Sequence, residues 1–357
     1  MRLIGTAAVL CISTVASGQD PRASATARDF STLETHLEVD AVRATDVIST
    51  AATRRHDRDF REDSLAAGHE CVPSPLWAKE VDPTEYEIGC VEIEAFLRGN
   101  ITFAGKGGMR EVYIASYGGR PVAVKELIRH SRFAEHAHFL ETIASDAVKG
   151  RAHVVEMLGF CGTTVVTEAY SKTVQQIVSR ATEPLPIKKV VSISLDAAKG
   201  LEALHEAADA PIVHFDVNID QLLVRDDGRV SLGDFNFAYF MGTSLNGNAC
   251  PFNIKESKKR KRKMDKSRIM APEFIADEPL TAKLDIYRMG LIYAEVLSAG
   301  GSTTLRAGKG GAPSFDPAWH QGYTKVVEDM LGEAERRPSA TELVSRLQEI
   351  QEELRAP

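Results

Sequence analysis

Ile212-Val213-His214-Phe215-Asp216-Val217-Asn218-Ile219-Asp220-Gln221 is followed by Asp227-Gly228-Arg229-Val230 and then by Gly233-Asp234-Phe235-Asn236. Two aspartates, Asp216 and Asp234, stand eighteen residues apart in this stretch. Between them, the apolar runs Gln221 to Val224 and Val230 to Leu232 read as strands. Asp-Gly is a favoured hairpin turn, so the runs fold back and bring the carboxylates toward each other. One carboxylate can orient or deprotonate an attacking hydroxyl, and the other can hold magnesium, which prefers oxygen ligands. Two aspartates in a loop-rich region are by themselves mostly solvated, so the neighbouring sequence has to decide.

Working upstream, the runs Ile101 to Ala104, Val112 to Tyr117 and Pro121 to Glu126 are strand-like and separated by glycine-rich turns, which suits antiparallel hairpins. The turn Gly105-Lys106-Gly107-Gly108-Met109-Arg110-Glu111-Val112 lies between two strands. A dinucleotide-binding turn would instead open a helix. Its glycines let backbone amides approach phosphate, although a plain hairpin turn reads the same way. In Val122-Ala123-Val124-Lys125, alternation can point Lys125 inward. Residues 132 to 149 have helical periodicity, and Glu141 on that helix is the anion chosen to hold Lys125, with Glu135 as the alternative. Val154 to Phe160 and Thr164 to Tyr170 are two more strand-like runs, and long helical patterns follow Pro186.

In this order, the segment from about Ile101 to Leu347 resembles a protein-kinase catalytic core. The resemblance implies an α+β, two-lobed fold with a small antiparallel-sheet N-lobe and a larger helical C-lobe. It implies ATP and Mg2+ as cofactors. Gly105, Gly107, Val112, Ala123 and Lys125 would line the nucleotide. Thr167, Glu168 and Tyr170 would form the hinge that receives the adenine edge. Asp216, Lys125, Glu141 and Asn218 take the catalytic positions, and Gln221 and Asp234 the metal positions. Ala271-Pro272-Glu273 resembles the end of an activation segment, Asp285 and Gly290 the central helix of the large lobe, and Arg337 the partner of Glu273.

The departures from that pattern are specific. Arg110 stands where the third glycine of the loop is expected, which would stiffen the loop or add a phosphate contact. Phe215 replaces the arginine that receives an activation-loop phosphate, so such control is not expected. Asn218 replaces the lysine that neutralises the transferred phosphate. Gln221 replaces a metal-binding asparagine, and Asn236 replaces a glycine, a mild change because asparagine tolerates left-handed backbone. The function expected is transfer of the ATP γ-phosphate to a protein hydroxyl, Ser/Thr as the prior. A pseudokinase that binds nucleotide or scaffolds partners, and a small-molecule kinase, stay open as alternatives.

The chain has 357 residues, 43% hydrophobic and 26% charged, with net charge -7. That permits a large core and does not indicate a general nucleic-acid binder. Residues 1–18 fit a secretory signal, with Arg2 before an apolar run too short to span a bilayer. No later segment is long and apolar enough to do so. The organisation expected is a signal at 1–18, a stem and extension at 19–98, and a kinase domain at 99–355, with lobes at 99–170 and 171–355. The secretory pathway is the expected location, with nucleus or cytoplasm the alternative. Cys71, Cys90, Cys161 and Cys250 remain after the signal; Cys71 with Cys90 is the favoured disulfide, and free thiols are the alternative. Lys255 to Arg268 carries nine basic and two acidic residues. It is read as a solvated loop, a docking site for acidic or phosphorylated substrates, or an import signal. Asn100-Ile101-Thr102 is a glycosylation acceptor sequence.

Overall fold

Strand alternation builds the first sheet. Val122 and Val124 are fully buried on one face of strand β4, Arg120–Leu127, where they pack with Ile88, Ile93 and Val166. The intervening Ala123 and Lys125 therefore face the other side. In the computed structural model, which describes residues 71–254, 270–300 and 320–356, β4 lies inside a five-stranded antiparallel sheet. Its other strands are β2, Thr102–Lys106, β3, Arg110–Tyr117, β5, Met157–Cys161, and β6, Thr164–Glu168, in the order β2-β3-β4-β6-β5. The helix Arg132–Ala147 starts at Ser131, whose hydroxyl accepts from Ala134 N. It packs against β5.

The second lobe is helical. Its core forms around the buried faces of the helices Ile187–His205, Lys283–Leu297, Gln321–Met330 and Ala340–Glu353. The Asp-Gly hairpin joins β9, Leu222–Val224, to β10, Val230–Leu232, in antiparallel register, with Gly228 left-handed at the turn. The fold is thus α+β with two lobes. Among the described residues, no helix is long and apolar enough to cross a membrane. The basic stretch Lys255 to Arg268 lies outside the described residues, as do residues 1–70.

Residues 71–88 form a strap that sequence reading treated as part of an extension. At one end β1, Cys71–Val72, pairs with β12, Thr243–Ser244, and Cys71 is disulfide-bonded to Cys250. Trp77 is buried, and its indole N–H donates to Phe240 O at 2.9 Å. Farther on, Tyr86 Oη donates to Asp146 at the end of the helix Arg132–Ala147, and Lys79 pairs with the same carboxylate. At the other end Ile88 N donates to Leu158 O, and Cys90 is bonded to Cys161. Gly159 makes this approach possible: a Cβ there would stand 1.8 Å from Ile88 O. The expected Cys71–Cys90 pairing is therefore corrected. The strap runs between the two cysteines and carries them to different lobes, so each finds a partner far along the chain.

Candidate active site

Lys125 pairs in the ladder with Val112 and Val165, and its Nζ donates to Glu141 Oε1 at 3.2 Å. Glu135 lies in the first turn of the same helix, and Lys125 goes to Glu141 instead. A second cation shares this glutamate. Arg110 Nη2 lies 2.9 Å from Glu141 Oε2, and its Nη1 donates to Thr163 O and Lys125 O at 3.0 and 3.3 Å. The Arg110 side chain is 9% exposed. Of the two expectations for Arg110, a stiffer loop or a phosphate contact, the second is corrected: the side chain turns inward because buried acceptors are there to satisfy a fork of donors. Burial pushes the Glu141 carboxyl up, but Arg110 and Lys125 outweigh it and hold the group below the usual carboxylate range. His138, 3.1 Å from Arg110, is driven down to about 4 by burial and by the guanidinium, and is neutral at pH 7.

The glycine-rich turn is closed by Gly107 N donating to Arg110 O at 2.8 Å, while Lys106 pairs with Glu111 at 2.6 Å on the exposed side. Gly105 stands opposite Val112, and Ala123 opposite Thr167. Thr167 and Tyr170 are buried; Tyr170 packs with Val155 and Leu223. Its hydroxyl donates to Glu168 Oε2 at 3.2 Å, and Arg225 lies over its ring while also pairing with Glu168. The hinge residues are thus held by side-chain contacts from the lobe below.

The catalytic stretch is fixed from beneath by the helix Lys283–Leu297. Asp285, fully buried, accepts from His214 N at 2.7 Å and Phe215 N at 2.9 Å. Phe215 has φ 65°, a left-handed conformation rare for a bulky residue and costly unless the surroundings fix it. Its ring packs edge-on against Phe274. The contact belongs to an apolar cluster with Val213, Met241, Phe252 and Met270. Where an arginine would await a phosphate, an apolar contact between catalytic loop and activation segment stands instead. Glu273 and Arg337 form a buried two-armed ion pair at 2.5 and 2.9 Å.

Asp216 and Asp234 do converge. Gln221 Nε2 lies 3.5 Å from Asp216 Oδ2 and 3.4 Å from Asp234 Oδ2. Asp234 shows some surface to the cleft, yet enclosure pushes its carboxyl up, Glu141 adds to this, and Lys125 opposes it. Its φ of 67° is the left-handed residue of the segment. Asn236 has no such backbone, so the expected use of asparagine for that conformation moves two residues upstream. Asn218 caps the turn Ile219–Gln221, its Oδ1 accepting from Asp220 N at 3.4 Å.

The residues fit magnesium. Gln221 Oε1 is buried and has no hydrogen-bond partner. A side-chain amide can present either its oxygen or its NH2 by a half turn. Asp234 is an enclosed carboxylate, its carboxyl pushed up by burial, on the same side-chain amide as Asp216. One or two carboxylates plus an amide oxygen, completed by phosphate and water, is a donor set magnesium accepts.

Arg288 was not singled out from sequence. It sits one turn after Asp285, and its Nη2 lies 3.0 Å from Asp216 Oδ1. Leu223 and Val155, which pack against the hinge, were also missed as site residues. The available signal for Arg288 was an arginine inside an otherwise apolar helical face, which demands buried acceptors.

The protein tyrosine and serine/threonine kinase profile matches residues 101–348. Among curated relatives, chitin elicitor receptor kinase 1 of Arabidopsis thaliana is 28% identical over 57% of this chain and 31% of its own length. Serine/threonine/tyrosine-protein kinase HT1 of the same plant is 28% identical over 62% of this chain and 55% of its own. The PTI1-like tyrosine-protein kinase 1 of Arabidopsis thaliana is 25% identical, covering 61% of each chain. The chain therefore spans less than two thirds of the length of these relatives.

Proposed function

Because the chain belongs to the protein tyrosine and serine/threonine kinase family, we propose that it transfers the γ-phosphate of ATP to a protein hydroxyl, with serine or threonine as acceptor. The observation that carries this reading is the meeting of Asp216 and Asp234 about one Gln221 amide, beside a formed Lys125–Glu141 pair. ATP supplies the phosphoryl group, and Mg2+ when bound neutralises charge on its phosphates. Asp234 and Gln221 would hold the metal. Lys125, fixed by Glu141, presents its ammonium to phosphate oxygens. Asp216 is the hydrogen-bond acceptor that orients the attacking hydroxyl and takes its proton. Val112 and Ala123 would enclose the base from the sheet side and Leu223 from the other, with the backbone of Glu168 and Tyr170 available to its edge.

The reading extends to compartment and acceptor. Two disulfides favour an oxidising compartment, consistent with the signal-like residues 1–18. The secretory pathway is the proposed location, and lumenal or secreted proteins are then the acceptors. The basic run Lys255 to Arg268 makes acidic or phosphorylated proteins the first to try.

The test uses the full chain purified under oxidising conditions, with radiolabelled ATP, Mg2+ and casein as acceptor. Asp216→Asn should lower transfer by about 10²–10⁴-fold while thermal shift with ATP and Mg2+ persists. Equal transfer by the two proteins would sink the active reading and leave a nucleotide-binding pseudokinase.

A further inference from the structure

The catalytic loop Ile212 to Leu222 contains no lysine or arginine, and its histidine is fully buried. A carboxylate that must stay aimed at a hydroxyl needs donors to hold it in place. Asn218, in the position where the resemblance calls for lysine, is occupied by its capping bond and carries no charge.

Arg288 provides what the loop lacks. Its side chain is 8% exposed. Nε donates to Val217 O at 3.0 Å, Nη1 to Phe215 O at 3.0 Å, and Nη2 to Asp216 Oδ1 at 3.0 Å. Nη1 also lies 3.4 Å from Met270 Sδ, at the return of the activation segment. The fork therefore grips three successive residues of the loop. Asp285, one turn earlier on the same helix, accepts the N–H groups of His214 and Phe215. Together the two side chains hold the left-handed Phe215 by its N–H and by its C=O. A lysine could make at most part of this set, because its donors radiate from one point.

We infer that Arg288 is a positioning residue for the transfer reaction: it fixes the Asp216 carboxylate in orientation and places a positive charge against it. The inference rests on the kinase reading for its catalytic consequence, though not for its structural one. Arg288 touches Asp216 and need not touch substrate. Its guanidinium is anchored by two backbone carbonyls, so it stays in place as substrate comes and goes.

The experiment compares wild type, Arg288→Met and Arg288→Lys, each as the full chain with disulfides intact. Phosphoryl transfer to casein should fall by about 10²-fold in Arg288→Met, as for loss of one preorganised charge-bearing group. KM for ATP should stay within about twofold, since uniform nucleotide binding is untouched. Arg288→Lys should recover part of the rate, and added methylguanidinium should partly rescue Arg288→Met. Independently of catalysis, hydrogen exchange in the peptide covering 212–222 should speed up by roughly tenfold in Arg288→Met, as two lost hydrogen bonds imply. Exchange in 101–127 should not change. Unchanged exchange at 212–222 would overturn the inference even if the wild type transferred no phosphate, an outcome that would separately defeat the kinase reading. A rate loss matched by an equal rise in KM for ATP, with no rescue by methylguanidinium, would also overturn it, leaving Arg288 as packing alone.

Discussion

Replacing Arg110 with glycine, the residue expected there from the kinase pattern, should weaken this protein. Arg110 is the second cation on Glu141 and the donor to the Lys125 and Thr163 carbonyls. Removing one partner of a buried ion pair typically costs ~3–5 kcal/mol, because the remaining charge is left uncompensated. Here Lys125 stays on Glu141, so the loss belongs at the low end, ~3 kcal/mol by the same reasoning. For a domain of this size that corresponds to a fall in Tm of roughly 6–12 °C. Scanning calorimetry without reductant measures it. A fall under about 2 °C would refute the argument, since it would mean that the buried guanidinium contributes no more than a surface charge.

The same substitution should alter the response to acid. His138 has its folded pKa driven down to about 4, first by burial and then by Arg110. Between its ordinary value of about 6.5 and 4, the unfolded chain binds a proton that the folded chain refuses. Stability due to this group is therefore lost as pH falls through that window, by up to about 3 kcal/mol. Glu141, held low, adds a loss of the same sign in stronger acid, while Asp234, pushed up by burial, works the other way. In Arg110→Gly one cause of the His138 shift is gone, so the drop in urea midpoint from pH 7 to pH 5 should shrink. An equal or larger drop would contradict the assignment.

Non-reducing peptide mapping should return Cys71–Cys250 and Cys90–Cys161; recovery of a Cys71–Cys90 peptide would contradict the strap. The closed loops span sequence separations of 179 and 71, so each bond should stabilise by roughly 4–5 kcal/mol in the chain-entropy account, and reduction should lower Tm sharply. Because the longer loop encloses the shorter, the effects of Cys71→Ser and Cys90→Ser should not add. Glu273→Gln leaves Arg337 buried without its anion and should cost ~3–5 kcal/mol, read from the denaturation midpoint. Expressed through a secretory pathway, the chain should carry a glycan at Asn100, which is exposed at the entry to β2; Asn100→Gln should abolish the mobility shift removed by an endoglycosidase.

Legibility in the sequence followed the range of the forces involved. Alternation at Val122 to Lys125 is local, and it correctly gave both the strand and the inward lysine. The Asp-Gly turn is local too, and it brought Asp216 and Asp234 together. Glu141 was reachable because the helix carrying it has a plain apolar period. What escaped was decided by contacts between distant segments. Arg110 sits in a glycine-rich turn, and nothing nearby shows that His138, Glu141 and the Thr163 carbonyl will surround it. Cys71 and Cys90 are neighbours in sequence but are drawn apart by Trp77, which burrows against Tyr239 and Phe240, and by Ile88, which docks on β5. Arg288 lies on the same helical face as Asp285, and only the position of the catalytic loop above them reveals the shared task.

The departures from the kinase pattern become intelligible when treated as a redistribution of charge and not as separate losses. Phe215 gives up a cation, and the apolar contact with Phe274 takes over the joining of loop to activation segment. Cys71–Cys250 ties residue 250 of that segment to the strap, and β1 pairs with β12. Its far end is held by the Glu273–Arg337 pair. Asn218 gives up a second cation, one that would face the transferred phosphate, and Arg288 brings a cation to Asp216 from below. Arg110 adds a third at Glu141, which fixes the helix Arg132–Ala147 from the sheet side while Tyr86 and Lys79 fix its end from the strap. The pairs Arg110–Glu141 and Arg337–Glu273 are buried on both sides, so salt screens them much less than a surface pair.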